Sequence, residues 1–449
     1  MLVEDYIGFQ NQAVSPFHVV AELQSRLSRA GFEALSLAEV WKLELGKNYY
    51  ITHRDQKSLV AFCVREHAPA ETGFAILGAH TDSPALRLRL NPWQSPGQYQ
   101  RLLTELHGSL ILRSWLDTPL KLGGVLYRQL RTGEGKKPSW DAMGLPSLQR
   151  QLVCSEKALA IIPDLAIHLD REKNNQGSIN AEQVMAAILG CKPRTLLSPS
   201  DLSKLFKMEE EAEWDGFDLS LAPASPHCVV GLDDEFIVGP RHDDLAMVFC
   251  AQNALIQASR NQSMKKLALA AFFDAEETGS TTASGAGSVF LSHCLERIER
   301  EYPQQKSKKY EEERTRFIRA LQKTFLVSAD MAHAFHPSFP DRHDENHRPL
   351  INSGLVIKQN CNDRYATTGE SAAIFAAICE TYEVKTQKFV ARQDMGCGST
   401  IGPIVSAQLG CPAVDVGLPM WSMHSARETM GTQDLAHACK AFEAFLKGF

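Results

Sequence analysis

The chain has 449 residues, 44% hydrophobic and 22% charged, the balance of a folded globular protein with at least one large core. A net charge of −6 with scattered basic residues leaves no electrostatic footprint for nucleic acid, and the lack of any apolar run of about eighteen residues argues against a membrane-spanning helix. Eleven dispersed cysteines, never in a C-x-x-C pair, and an N-terminus without a basic start and apolar run fit a reduced, cytoplasmic protein without a secretory signal.

In chain order, residues 18–31 carry Val19, Val20, Leu23 and Leu27 at helical spacing and end near Gly31, which predicts an amphipathic helix. Residues 58–64 and 74–79 read as strands. The second is apolar on both faces and delivers His80 at its carboxyl end. From about residue 91 to 232 the chain turns to short strands rich in Gly, Pro and Leu. Strands are expected at 106–114, 124–130 and 159–169, and a short helix at 180–190. An α/β rhythm then returns. It comprises helices at 244–259, 284–301, 370–382, 402–409 and 434–447, and strands at 266–273, 324–328, 388–391 and 412–416. The densest basic run, 306–316, alternates with Glu311, Glu312 and Glu313 and reads as a solvated helix face. The expected fold class is α/β, with a mixed, largely parallel sheet flanked by helices and an inserted mostly-β domain. Residues 1–91 and 233–449 would form one domain and residues 92–232 the insertion.

Five separated segments carry metal-type ligands: His80-Thr81-Asp82, Asp243-Asp244, Glu276-Glu277, Asp330 and His424. Nitrogen and oxygen donors of this mix suit zinc or a similar divalent ion. His80, Glu276-Glu277 and Asp330 each follow an apolar strand, and in open α/β sheets the crevice beyond the strand carboxyl ends is where sites assemble. Taken singly, each has an ordinary explanation. Asp243 and Asp244 can complement a helix dipole, adjacent glutamates can be surface charge, and a lone His424 can be structural. Together, two ions and a spare carboxylate acting as base describe a hydrolase. Asp82, two residues after His80, would orient that imidazole. His242 is a competing ligand next to Asp243, and His168 reads as a strand histidine satisfied by a neighbour.

These motifs resemble a known family. The segments His80-Thr81-Asp82-Ser83-Pro84, Pro240-Arg241-His242-Asp243-Asp244-Leu245, Glu276-Glu277-Thr278-Gly279-Ser280, Ser328-Ala329-Asp330-Met331-Ala332-His333, Asn346-His347-Arg348-Pro349, Cys397-Gly398-Ser399-Thr400-Ile401-Gly402-Pro403 and Met423-His424-Ser425-Ala426-Arg427-Glu428 are together similar to the aspartyl aminopeptidases, a family of dizinc exopeptidases. The resemblance implies two zinc ions per subunit, one held by His80 and Asp330, the other by Glu277 and His424, with Asp243 bridging. It also implies Glu276 as general base with Asp82 supporting His80. Substrates would be peptides with an N-terminal Asp or Glu, whose side chain pairs with Lys358. His336 would reach a neighbouring subunit's site in a dodecamer built partly through residues 92–232. The chain departs from the family at His242, where Leu is usual, at Asp244, where Asn may stand, and at Ala275, where Asn is common. A dizinc amidohydrolase acting on acylated amino acids and an inactive scaffold of the same fold are the competing readings.

Overall fold

Phe74–His80 and Leu267–Phe273 are apolar at every position, and every one of their residues is buried. Alternate side chains enter opposite cores. Ala75, Leu77 and Ala79 pack into one cluster, and Phe74 and Ile76 into another. Such strands are stable only with helices on both faces. The computed structural model describes residues 2–132, 137–141, 144–175, 177–191, 201–208, 213–303 and 310–448. Their contacts divide into two units. The first holds Met1–Ser83, His227–Met423 and Glu428–Phe449, and the second holds Pro84–Pro226 and His424–Arg427.

The first unit is built on a nine-stranded sheet. Its order is Phe32–Leu35, Asn48–Thr52, Leu59–Cys63, Leu267–Phe273, Phe74–His80, Phe325–Ala329, Ala413–Gly417, Leu355–Gln359 and Thr386–Val390. The four central strands from Leu267–Phe273 to Ala413–Gly417 run parallel, whereas Leu59–Cys63 and Leu355–Gln359 join them antiparallel. One core cluster joins a sheet face to the helices Pro16–Arg29, His242–Ala258 and Asp434–Gly448. The other joins the opposite face to Phe290–Arg300 and Ile401–Leu409. A five-stranded sheet in the same unit contains Phe236–Gly239, Glu428–Gly431 and Pro419–Trp421. The second unit is a six-stranded sheet whose pairs are all antiparallel, including Ala85–Gln94 with Gln100–His107 and Leu120–Gln129 with Gly216–Pro223. Trp115, Leu122 and Leu221 lie in its core. The expected mixed, largely parallel sheet and separate β region are therefore both present. Among the described residues, no helix is long and apolar enough to cross a membrane.

Several element expectations need correction. Residues 106–114 are not one strand. The strand Gln100–His107 ends where Gly108 takes a φ of 75°, and a single helical turn, Leu112–Trp115, follows. Residues 159–169 make only isolated bridges, at Ala160 and Ile161, because Pro163 has no N–H to donate. His168 lies in an exposed turn rather than a strand. The expected helix at 180–190 is one turn, Ala181–Val184, capped by Asn180, followed by the strand Ala187–Gly190 paired to Leu102 and Arg101. The helix expected from residue 284 begins at Phe290, whose N–H is taken by the Ser288 hydroxyl. Residues 304–309 of the charged run lie outside the described residues, and Tyr310–Gln322 is helical.

Candidate metal centre

Parallel register brings the site together. Phe273 stands beside His80, and Ser328 beside Gly78, so the chain leaves three strands at one level. His80 closes its strand, Asp330 follows Ala329, and Glu276 lies three residues beyond Phe273 in a short 3-10 turn, Glu276–Thr278. Asp243 and Asp244 come from the start of the helix His242–Ala258, where both depart from helical φ and ψ. Their backbone is gripped locally. The Asp243 N–H donates to Glu428 Oε2 at 3.1 Å, and the Asp243 carbonyl accepts from the Ser83 hydroxyl at 2.7 Å.

One donor atom from each of His80, Asp243, Asp244 and Asp330 lies within 4.8 Å of the others, and the same holds for His80, Glu276 and Glu277. His80 Nδ1 donates to the Asp82 carbonyl at 3.0 Å, which turns Nε2 toward the acids. Nε2 is 3.5 Å from Asp243 Oδ1, 3.9 Å from Glu276 Oε2 and 4.0 Å from Asp244 Oδ2. Ligands about 2.0–2.1 Å from a tetrahedral zinc stand roughly 3.3 Å apart, so the closest of these spacings fits ligands sharing an ion. The Asp82 carboxylate, 3.5 Å from His80 Nδ1, accepts the backbone N–H of Glu276 at 3.0 Å and of Glu277 at 3.3 Å. It therefore holds the glutamate turn as well as lying close to His80.

The electrostatics call for a cation. Burial would pull the His80 pKa down, but the surrounding carboxylates, Asp244 foremost, hold it well above its usual value. Burial raises Asp244 strongly, with Asp330 and Asp243 adding to the effect against the pull of His80. Burial, opposed by His80 and reinforced by Asp330, Asp243 and Asp82, lifts Glu276 to about 7. Burial also lifts Asp330 to about 6, against the opposing pull of Lys358 and with a contribution from Asp243. Asp244 Oδ2 accepts the backbone N–H of His80 at 3.0 Å, while its buried Oδ1 accepts no hydrogen bond among the described residues. Mutually repelling acids around one imidazole, with a buried oxygen lacking a donor, are a donor set suited to zinc.

The remaining candidates sit as follows. Lys358, 2% exposed on the strand Leu355–Gln359, donates to the carbonyls of Asp330 and Met331 at 2.8 and 3.1 Å and lies 3.6 Å from Asp330 Oδ1. Gly417 lets this segment approach, because a Cβ there would lie 1.9 Å from the Asp330 carbonyl oxygen. His336 is not in either strand-end group. Its ring lies 4.9 Å from that of Phe339, and its backbone N–H donates to His343 Nε2 at 3.0 Å. His424 opens the stretch His424–Arg427 assigned to the second unit, where its Nδ1 is 2.6 Å from the Ser109 carbonyl. His242 is fully buried and bonded to Tyr6. Ser83 and Glu428 stand in the sequence motifs without a role of their own, and nothing in the sequence pairs Lys57 with Asp274 beside the glutamate turn. Only Asp274, one residue beyond a buried strand, carried a readable signal.

Comparison with known proteins places the chain in a family. Residues 9–446 match the aminopeptidase I zinc metalloprotease (M18) family. Proteins described as probable M18 family aminopeptidase 2, from Pseudomonas aeruginosa and Pseudomonas fluorescens, are 39% and 37% identical over 451 and 452 residues, covering 99% of this chain and 97% of each relative. A chain of the Ape4 and Nbr1 complex superposes with a TM-score of 0.90 at 32% identity, covering 100% of this chain and 86% of that one. The Saccharomyces mApe1 dodecamer shares the fold, with a TM-score of 0.81 at 24% identity over 99% of this chain and 96% of that one. A match along almost the whole chain, on a fold whose strand ends gather zinc-type ligands, makes this protein a member of the M18, or aspartyl aminopeptidase, family of zinc metalloaminopeptidases, hydrolases of peptide bonds.

Proposed function

We propose that the enzyme removes an N-terminal Asp or Glu from peptides and uses two zinc ions to do so. The observation that carries this reading is the buried grouping of His80, Asp243, Asp244 and Asp330, with Glu276 and Glu277 against the same imidazole. His80 and Asp330 would hold one ion, Glu277 and His424 the other, and Asp243 would bridge. Zinc held by these residues would lower the pKa of a bound water and polarise the scissile carbonyl. Glu276 takes the proton on its carboxylate and delivers it to the leaving amine. Asp82, which accepts the N–H groups of both glutamates, keeps that carboxylate aimed. Lys358 selects the acidic first residue. Its ammonium is held by the Asp330 and Met331 carbonyls and lies 3.6 Å from Asp330 Oδ1, and with Asp330 holding zinc the remaining N–H would be offered to a substrate carboxylate as a charge-assisted bond.

The proposal extends to assembly and place. The enzyme is a cytoplasmic homo-oligomer, a dodecamer like the Saccharomyces relative, with residues 92–232 as the oligomerisation domain and His336 serving a neighbouring subunit's site. The test is a panel of Asp-, Glu- and Leu-peptides with N-acetylated controls, run on wild type and Glu276→Gln. The expected result is preferential release of Asp and Glu, no cleavage of acetylated peptides, and a loss in Glu276→Gln of about 100-fold or more. Equal rates on Leu-peptides would remove the acidic preference, cleavage of acetylated peptides would favour an amidohydrolase, and near-normal turnover in Glu276→Gln would remove the base assignment.

A further inference from the structure

A run of buried polar contacts ties the N-terminal helix to the turn that presents Asp243. The helix Leu2–Gln12 buries Tyr6, Phe9 and Gln10. Gln10 Nε2 donates to the Tyr6 hydroxyl at 2.6 Å and to the Arg241 carbonyl at 2.9 Å. The Tyr6 oxygen, already accepting from Gln10, has its own O–H to give, and His242 Nδ1 stands 2.6 Å away. The two rings also stack, with centroids 5.8 Å apart at 25°. Tyr6, Gln10 and His242 each have no exposed surface.

What this run holds is an irregular piece of backbone. Arg241 takes a φ of 59°, and the next helical residues, Asp243 and Asp244, depart from helical geometry. Glu428 and Ser83 fix the two backbone polar groups of Asp243 itself. The side chain just before it is fixed by Tyr6, and the carbonyl before that by Gln10. A metal ligand must be held to within about 0.5 Å, which its own rotamer cannot ensure if the peptide beneath it shifts. We propose that Tyr6, Gln10 and His242 are positioning residues for the metal centre, through which the N-terminal helix aims the Asp243 carboxylate at zinc. The proposal rests on the reading of Asp243 as a zinc ligand.

The test is a competition of zinc-free protein against a chelator across four chains: wild type, Tyr6→Phe, Tyr302→Phe and Asp243→Asn. Tyr302 is the control, another buried tyrosine, 2% exposed, whose hydroxyl donates to the Arg65 carbonyl at 2.7 Å. Tyr6→Phe is expected to weaken zinc binding about 10-fold or more, and Tyr302→Phe by less than about two-fold. Equal affinities for these two variants, with binding lost in Asp243→Asn, would overturn the positioning role and leave the ligand intact. Wild-type affinity in Asp243→Asn would overturn the ligand reading itself. A second pair guards against misfolding of Tyr6→Phe. His242→Asn keeps an acceptor near the Nδ1 position and is expected to retain affinity, whereas His242→Leu is expected to lose about as much as Tyr6→Phe. Equal affinities within that pair would also overturn the proposal.

Discussion

Ala275 holds a left-handed backbone, φ 63° and ψ 25°, immediately before Glu276 and Glu277, and only 3% of it is exposed. A side chain with a Cβ pays roughly 1–2 kcal/mol for that conformation, so strain is stored next to the proposed base. Ala275→Gly releases it, less the greater flexibility of glycine in the unfolded chain. The variant is expected to gain about 0.5 kcal/mol of unfolding free energy, measured by urea denaturation of chelated protein. A loss of stability would mean that packing of the methyl group outweighs the strain. The gathering of His80, Asp243, Glu276, Glu277 and Asp330 was legible in the sequence, because each follows an apolar run or opens a helix. The parts of Ser83, Glu428 and the Asp244 bond to His80 N–H were not. Each is a contact with backbone atoms more than 150 positions away, and no local pattern encodes such a contact.

At the scale of elements, the central strands were readable because burial on both faces demands unbroken apolar runs. The edge strand Phe32–Leu35, with two exposed residues in four, carries no such run and escaped notice. So did the helix Leu2–Gln12. Its contribution lies in Tyr6 and Gln10, polar side chains whose burial depends on partners supplied by Arg241 and His242. The strand Phe236–Gly239 leads into the same turn and brings a testable pH effect. His227, 8% exposed, donates from Nε2 to the Pro240 carbonyl at 3.0 Å, and burial, with help from the Arg241 charge, pulls its pKa from 6.5 to about 4. Between those values the unfolded chain binds the proton that the folded chain refuses. Stability therefore rises with pH across that window and is lost on acidification, by roughly 3 kcal/mol for the whole window. In chelated protein, the difference in unfolding free energy between wild type and His227→Gln is expected to shrink steadily as pH falls from 6.5 toward 4. Parallel curves would show that His227 is protonated as easily when folded as when unfolded.

For the whole molecule, alternation of strands and helices announced an α/β sheet, but not the order of its strands. Leu59–Cys63 and Phe74–His80 are neighbours in sequence, yet Leu267–Phe273 lies between them in the sheet. Non-local pairing of that kind is set by which apolar faces cover one another once the chain has closed long loops, information spread over the whole sequence. The same order places the ends of Phe74–His80, Leu267–Phe273 and Phe325–Ala329 side by side, so the metal centre is a consequence of topology. If these strand ends hold a pair of zinc ions, elemental analysis of the purified enzyme will count them. Two zinc ions per chain are expected, and no more than one after His80→Ala. A fully active peptidase carrying less than one zinc ion per chain would rule out a paired-zinc centre.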